Sequence, residues 1–297
     1  MITLSSSTDV VTALQQARHA SLSAYILRPG PVERALIDAA QRGTSVTVRL
    51  EGRFFDDPSG ALLDGNLQAI EALRAAGADA RLADETGPSE APVHAKMLVT
   101  DDACYLDDRN WAGDAEETIL RDTFPEDRAM ARAAVEGDAG PPSPFFAVRK
   151  HDALASEARL LRAARAGDDV VVESESFGAY NAVYDALHEL AADGSAPRIL
   201  VAQREVAENA KERAVLETLA QQGAQVRVTE ADEKFALASS RAWIGSANAT
   251  AAFDRPDQIE WSVRTDNAAI VAHERAAFES RWQNATALPV SALAAPG

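Results

Sequence analysis

The chain repeats itself, and the repeat constrains its fold more than any single motif. EALRAAGADARLAD at 71–84 lies over ETLAQQGAQVRVTE at 217–230 at an offset of 146, matching a Glu, a Leu, the Gly that closes a helix and the Arg of the strand that follows. HAKMLVTDDACYLDDRN at 94–110 lies over DEKFALASSRAWIGSAN at 232–248 without a gap, at an offset of 138. The two offsets differ because the first copy has the longer loop, around Gly87. A shared lysine, a shared final asparagine and one strand pattern in fixed order imply a duplicated unit, and a repeat of this kind decides the fold. A chain of 297 residues holds two such units of the size at which single cores usually stop growing.

Within each copy the apolar periodicity alternates between helix and strand. In the first, 9–18 reads as a helix, 21–27 as a strand, 31–41 as a helix closed by Gly43, and 45–50 as a strand. A helix at 66–76, a strand at 80–82, the breaker-rich loop ETGPSEAP, and two hairpin strands at 93–99 and 103–106 complete the copy. Two glycines and three prolines in EGDAGPPSP at 136–144 then interrupt any helix or central strand. Beyond them the order restarts: helix 160–166, strand 169–173, helix 182–192, strand 198–201 and helix 212–222. The expected architecture is α/β, a duplicated α-β-α sandwich with mixed sheets and half-domains at 1–137 and 144–297.

Charge narrows the functions open to such a fold. Against 46 Asp and Glu stand 29 Lys and Arg, a net charge of −17, and this surface repels nucleic acid or an anionic membrane except at a local basic pocket. Cys104 is the only cysteine, which excludes an intrachain disulfide and thiolate metal sites, and five scattered histidines disfavour structural zinc. No stretch approaches the roughly 18 apolar residues that span a bilayer, and MITLSSSTDVV lacks a signal-peptide layout, so a cytoplasmic protein is expected. Lysine occurs only at 96, 150, 211 and 234, and two of these four fall inside the repeated motif.

That motif is His94-x-Lys96, four residues, Asp101, five residues, then DDRN ending at Asn110. Its second copy is Asp232-x-Lys234, four residues, Ser239, five residues, then Gly245-Ser246-Ala247-Asn248. Together they resemble the HKD motif of the phospholipase D superfamily, H-x-K-x4-D followed after a short strand by G-S-x-N. The resemblance runs over nearly the whole chain, including the acidic-then-apolar strands that begin at Glu117 and Glu260. On a strand, residues i and i+2 share a face, so His94 with Lys96, and Asp232 with Lys234, project into one pocket.

The resemblance implies a metal-independent, cofactor-free phosphodiesterase. Its two motifs would meet at a pseudo-twofold axis in one shared site that acts through a phosphohistidine. Carried over, it makes His94 the nucleophile, Lys96 and Lys234 phosphate clamps, and Asn110 and Asn248 amide donors with Ser246 beside them. Asp101 would support the histidine, and Glu117 and Glu260 would stand further out. Lysines and amides aimed at the equatorial oxygens would favour the transition state over the ground state.

The second copy departs from the pattern with Asp232 for the histidine and Ser239 for the aspartate, and the first with Asp107-Asp108 for Gly-Ser. Asp232 could act as the general acid if its surroundings keep it protonated, whereas Asp107 and Asp108 would set negative charge close to a phosphate. Three readings follow. The chain is a phosphodiesterase or phosphatidyl-transfer enzyme working on a small or lipid phosphodiester with one histidine. Alternatively it is a catalytically inactive relative that keeps a phosphate pocket as a binding or regulatory subunit, or a homodimer in which two first copies rebuild a two-histidine site. The tryptophans at 111, 243, 261 and 282 are expected in the core.

Overall fold

The computed structural model describes residues 1–54, 57–83, 91–111, 118–137, 143, 145–165, 167–230, 232–252 and 257–288. Glu117, most of ETGPSEAP and most of EGDAGPPSP lie outside them. The chain forms two compact units, one of Met1–Ala153 with Gly245–Ala247 and Ala252–Val263, the other of Leu154–Ile244, Asn248–Ala251 and Arg264–Gly297.

The first unit runs β1 (Ile2–Ser5), α1 (Ser7–Gln16), β2 (His19–Ala24), α2 (Pro31–Gln41), β3 (Ser45–Leu50), α3 (Ala61–Ala75), β4 (Asp79–Leu82), β5 (Met97–Val99), β6 (Cys104–Asp107), β7 (Ile119–Asp122), α4 (Pro125–Glu136) and β8 (Phe146–Arg149). Its seven-stranded sheet has the order β1-β7-β6-β5-β2-β3-β4, with β2, β3 and β4 parallel and the others antiparallel to their neighbours. Parallel strands need crossovers, and α2 and α3 supply them. Helix α2 starts on Pro31 after an extended Gly30, and Val32, Ala35, Leu36 and Ala39 make its buried stripe. Helix α1 begins with a capping box in which Ser6 and Asp9 satisfy each other's backbone amides. Val10, Leu14, Leu22, Leu36, Val48 and Leu73 are closed to solvent in the core these elements share, each burial stabilising by about 1.5–3 kcal/mol.

The second unit continues from α5 (Lys150–Arg162) through β9 (Val170–Ser174), α6 (Ala182–Ala192), β10 (Arg198–Ala202), α7 (Gln203–Glu208), α8 (Ala210–Gln221), β11 (Gln225–Thr229), β12 (Phe235–Ala238) and β13 (Arg241–Gly245). Then follow β14 (Ile259–Thr265), whose first five residues count with the first unit and pair there with β8, α9 (Ala268–Asn284) and β15 (Thr286–Ala287). The second unit's strands take the order β15-β11-β10-β9-β12-β13. Three parallel strands followed by an antiparallel pair, β11-β10-β9-β12-β13, repeat β4-β3-β2-β5-β6 of the first unit. The expected duplicated α/β architecture with two mixed sheets is therefore observed.

The repeat extends to individual hydrogen bonds. The Leu27 amide donates to Asn66 Oδ1 at 3.1 Å, and the Phe177 amide, at the matching place in the second copy, donates to Glu212 Oε1 at 2.5 Å. The Ile26 amide donates to Asn110 Oδ1 at 3.2 Å, and the Ser176 amide donates to Asn248 Oδ1 at 3.4 Å. Each pair fixes the turn that leaves a central strand.

Several elements differ from the sequence expectation. Helix α5 starts at Lys150 rather than 160, its Ala153, Leu154, Ala158 and Leu161 forming a buried stripe inside a highly charged sequence. Helix α3 starts at Ala61 rather than 66. Helix α9 is absent from the sequence reading because its buried stripe, Ile270, Glu274, Phe278 and Trp282, carries a glutamate at a core position. There Arg281 crosses to the buried Glu173 at 3.0 Å and pairs with Glu233, tying the helix to the sheet. All four tryptophans are buried, as expected.

Glu157 on α5 is wholly enclosed, and burial pushes its carboxyl up to about 8 from an ordinary 4.5. A raised folded-state pKa means the unfolded chain binds fewer protons between those values, so this group's contribution to stability falls as pH rises from 4.5 to 8, by up to about 1.4 kcal/mol per unit. Glu157→Gln removes the titration. Its urea midpoint is expected near wild type at pH 5 and clearly higher at pH 8.

Candidate functional site

The segment that carries His94 and Lys96 enters β5 as a bulge rather than as the regular strand expected at 93–99. Two consecutive amides, His94 N and Ala95 N, donate to the one carbonyl of Ile259, each at 2.9 Å, while the Val93 amide donates to the Glu51 carboxylate. Lys96 rejoins the ladder by accepting from Asp107 N at 2.9 Å. The bulge aims the imidazole at the residue that follows Ile259.

That residue is Glu260, buried, with its two carboxylate oxygens 3.0 and 3.1 Å from His94 Nδ1. Ser246 Oγ donates to its Oε2 at 2.5 Å. Burial alone would raise the Glu260 pKa, but the charge and hydrogen bond of His94 and the charges of Lys96 and Lys150 overcome it and hold the carboxyl at about 2. An ionised carboxylate only accepts, so His94 Nδ1 carries the proton that faces it; in the neutral ring this places the lone pair on Nε2, while the imidazolium form pairs with the Glu260 charge. Lys96 Nζ lies 3.4 Å from that Nε2, and the His94 side chain keeps 18 % of its surface exposed. The Tyr25 ring stands edge-on to the imidazole at 5.0 Å and 6.0 Å from the ammonium, walling the pair on one side.

Asp101 has a different role from the one expected. Its carboxylate accepts from the Arg18 and His19 amides at 2.7 and 3.2 Å and meets His19 Nδ1 at 2.8 Å, contacts that pull its pKa down to about 2. It ties the tip of the β5–β6 hairpin to the start of β2, and the carboxylate that supports His94 is Glu260 instead. In the second unit the Ser239 hydroxyl bonds the Asp168 carboxylate at the matching place, so Asp-to-Ser there exchanges donor and acceptor within one structural tie. Similarly, Asp108 Oδ1 accepts from the Thr118 amide at 3.0 Å just as Ser246 Oγ accepts from the Trp261 amide at 2.9 Å. Asp107 Oδ2 takes the Trp111 amide at 2.6 Å, pinning a turn in which Asn110 and Trp111 both have positive φ, 60° and 58°. The expectation that Asp107 and Asp108 set charge against a phosphate gives way to two buried carboxylates serving the backbone.

In the second unit Lys234 is buried and donates to the Asp232 carbonyl at 2.6 Å and to Glu175 Oε2 at 3.1 Å. Asn248 Nδ2 points to the same Glu175 oxygen at 3.5 Å, and Arg204 pairs with the other. The structure thus brings together His94, Lys96, Ser246 and Glu260 in the first unit, and Lys234, Asp232 and Asn248 in the second. Asn110 lies in the first unit with its carbonyl oxygen engaged by Ile26. Sequence reasoning missed Lys150 and Glu175. For Lys150 the signal was the scarcity of lysine, and for Glu175 it was the place in the repeat that Tyr25 holds in the first copy. Among the described residues no three or more His, Cys, Asp or Glu side chains are grouped to hold a metal ion.

The first unit presents a histidine–lysine pair backed by a buried glutamate, on a duplicated α/β scaffold of phospholipase D-like fold. Residues 159–282 match the family described as cardiolipin synthase, PLD-like domain. Among solved structures it is similar to phosphatidylserine synthase from Haemophilus influenzae, at 9 % identity with a TM-score of 0.66 over 96 % of this chain and 87 % of that one. It is also similar to polyphosphate kinase from Porphyromonas gingivalis, at 15 % identity with a TM-score of 0.66 over 95 % of this chain. It spans half the length of that kinase. These likenesses are of fold. No curated protein matches the sequence. Among the described residues no helix is long and apolar enough to cross a membrane.

Replacing Glu260 by Gln keeps the shape but removes the charge that fixes the tautomer. Nitrogen-15 NMR of His94 is expected to show Nδ1 losing its proton in a large share of molecules. Any turnover that depends on Nε2 should fall by about 10²–10⁴-fold, the loss seen when a histidine's orienting carboxylate becomes an amide.

Proposed function

We propose that the chain is a phosphodiesterase in which His94 Nε2 attacks phosphorus. The observation that carries the reading is the imidazole held through Nδ1 by an ionised Glu260, with the side chain partly exposed and Nε2 3.4 Å from the Lys96 ammonium. A nitrogen–phosphorus bond forms as the bond to the leaving oxygen breaks, and that oxygen takes a proton from solvent water. Water or an alcohol then attacks phosphorus and gives its proton to solvent, the nitrogen–phosphorus bond breaks, and the imidazole is restored. Lys96 neutralises charge that builds on the equatorial oxygens, in a setting where burial strengthens the interaction. Glu260 stabilises the imidazolium character that His94 gains on attack. No step calls for a metal.

The net charge of −17 favours a small or lipid phosphodiester over nucleic acid. The fold likeness to a phosphatidylserine synthase supports a lipid head group and transfer to an alcohol as the outcome to test beside hydrolysis. A second reading, a phosphate-binding protein without turnover, is favoured by the second copy. There Asp232 replaces the histidine, and Lys234 is paired to Glu175.

Hydrolysis of bis(p-nitrophenyl) phosphate by wild type and His94→Ala, with chelator present, separates the two. The catalytic reading expects turnover that survives the chelator, falls by at least about 10³-fold in the variant, and leaves an acid-labile phosphoryl adduct on His94 in wild type. No adduct and no turnover in wild type would favour the binding protein.

A further inference from the structure

The two copies treat their lysines differently. Lys96 lies against His94 and the Tyr25 ring and shares the charge of Glu260 with His94 and Lys150, whereas Lys234 is bonded directly to the carboxylate of Glu175. Glu175 stands where the first copy has Tyr25, at the same point of the repeat by which Asn248 matches Asn110 and Ser176 matches Ile26. Its Oε2 takes the buried ammonium of Lys234 at 3.1 Å and the Asn248 amide at 3.5 Å, and its Oε1 takes the Arg204 guanidinium. The Asn248 carbonyl oxygen is engaged by the Ser176 amide, which turns the NH2 group toward Glu175. One ammonium, one amide and one guanidinium on two oxygens is the donor set that would otherwise suit a phosphate.

We propose that Glu175 is an internal anion filling the phosphate cradle of the second copy, so that Lys234 and Asn248 engage a ligand phosphate only when Glu175 is displaced. The proposal rests on the reading that the lysine and asparagine of each copy are phosphate donors. It makes the second copy self-neutralised by a carboxylate bonded directly to its lysine. A dianionic phosphate entering the second copy would have to leave Glu175 unpaired beside a like charge, and that repulsion selects against the ligand. Asp232 then matters less to the second copy's behaviour than a glutamate outside the motif.

The test is calorimetric titration of the full chain with inorganic phosphate, comparing wild type, Glu175→Gln, Glu175→Gln with Lys234→Met, and Glu208→Gln. Glu208 is an exposed carboxylate at the end of α7, so its variant carries the same change in net charge. Glu175→Gln should bind phosphate about tenfold more tightly than wild type, roughly 1.4 kcal/mol. Adding Lys234→Met should abolish the gain, and Glu208→Gln should show none. If thermal denaturation shows Glu175→Gln unfolded, Glu175→Ser serves in its place with the same expectation. Equal affinity in wild type and the Glu175 variant, or an equal gain from Glu208→Gln, overturns the proposal. The catalytic reading is decided separately by His94→Ala turnover, and a loss there leaves the phosphate titration of the second copy intact.

Discussion

An ionised carboxylate with almost none of its surface in water must be surrounded by positive charge, because an unpaired buried charge costs several kcal/mol. Glu260 is that group, and His94, Lys96, Lys150 and the Ser246 hydroxyl answer it. The dependence runs in both directions. Lys150 is itself buried deeply enough for its pKa to fall, with Glu260 and Asp257 as its opposing charges. His94 owes its tautomer to the same carboxylate, and its backbone to the carbonyl one residue earlier. Ring orientation and local charge balance therefore hang on one strand, which is how the geometry of the imidazole is held by a residue 166 positions away.

The two copies differ less in the contacts that hold the scaffold than in the residues of the motif. Contacts that shape the backbone have counterparts in the two copies: the Asn110 and Asn248 braces, the Asn66 and Glu212 braces, and the hairpin-tip ties through Asp101 and Ser239. The groups that would touch a substrate do not, since His94 corresponds to Asp232 across the repeat and Tyr25 to Glu175. Loss of the motif histidine and aspartate from the second copy therefore amounts to one chemical change and one structural exchange.

Much of this was legible in the sequence. Helices α2 and α6 and strand β3 have the bounds expected for them, because Pro, Gly and a clean apolar stripe mark them. The mixed sheet in each copy followed from the repeat and its alternation of helix and strand. What escaped was set by buried polar groups: Glu274 broke the stripe of α9, Asp127 did the same in α4, and the Ile259 carbonyl bent the expected strand at His94. Asp101 was assigned to the wrong histidine because motif spacing says nothing about which way a hairpin tip turns, and it meets His19 at 2.8 Å instead. Glu175 lay outside the aligned segments and changed side-chain class entirely.

The paired braces bear on how kinship persists in such chains. An asparagine and a glutamate, or an aspartate and a serine, are unlike residues to any comparison by side-chain type, yet each offers an oxygen to the same amide. Inheritance at these positions is of an acceptor at a point in space, and the identity of the residue that brings it is free to drift. A fold maintained in this way stays intact in both copies although few of the side chains that brace it are shared.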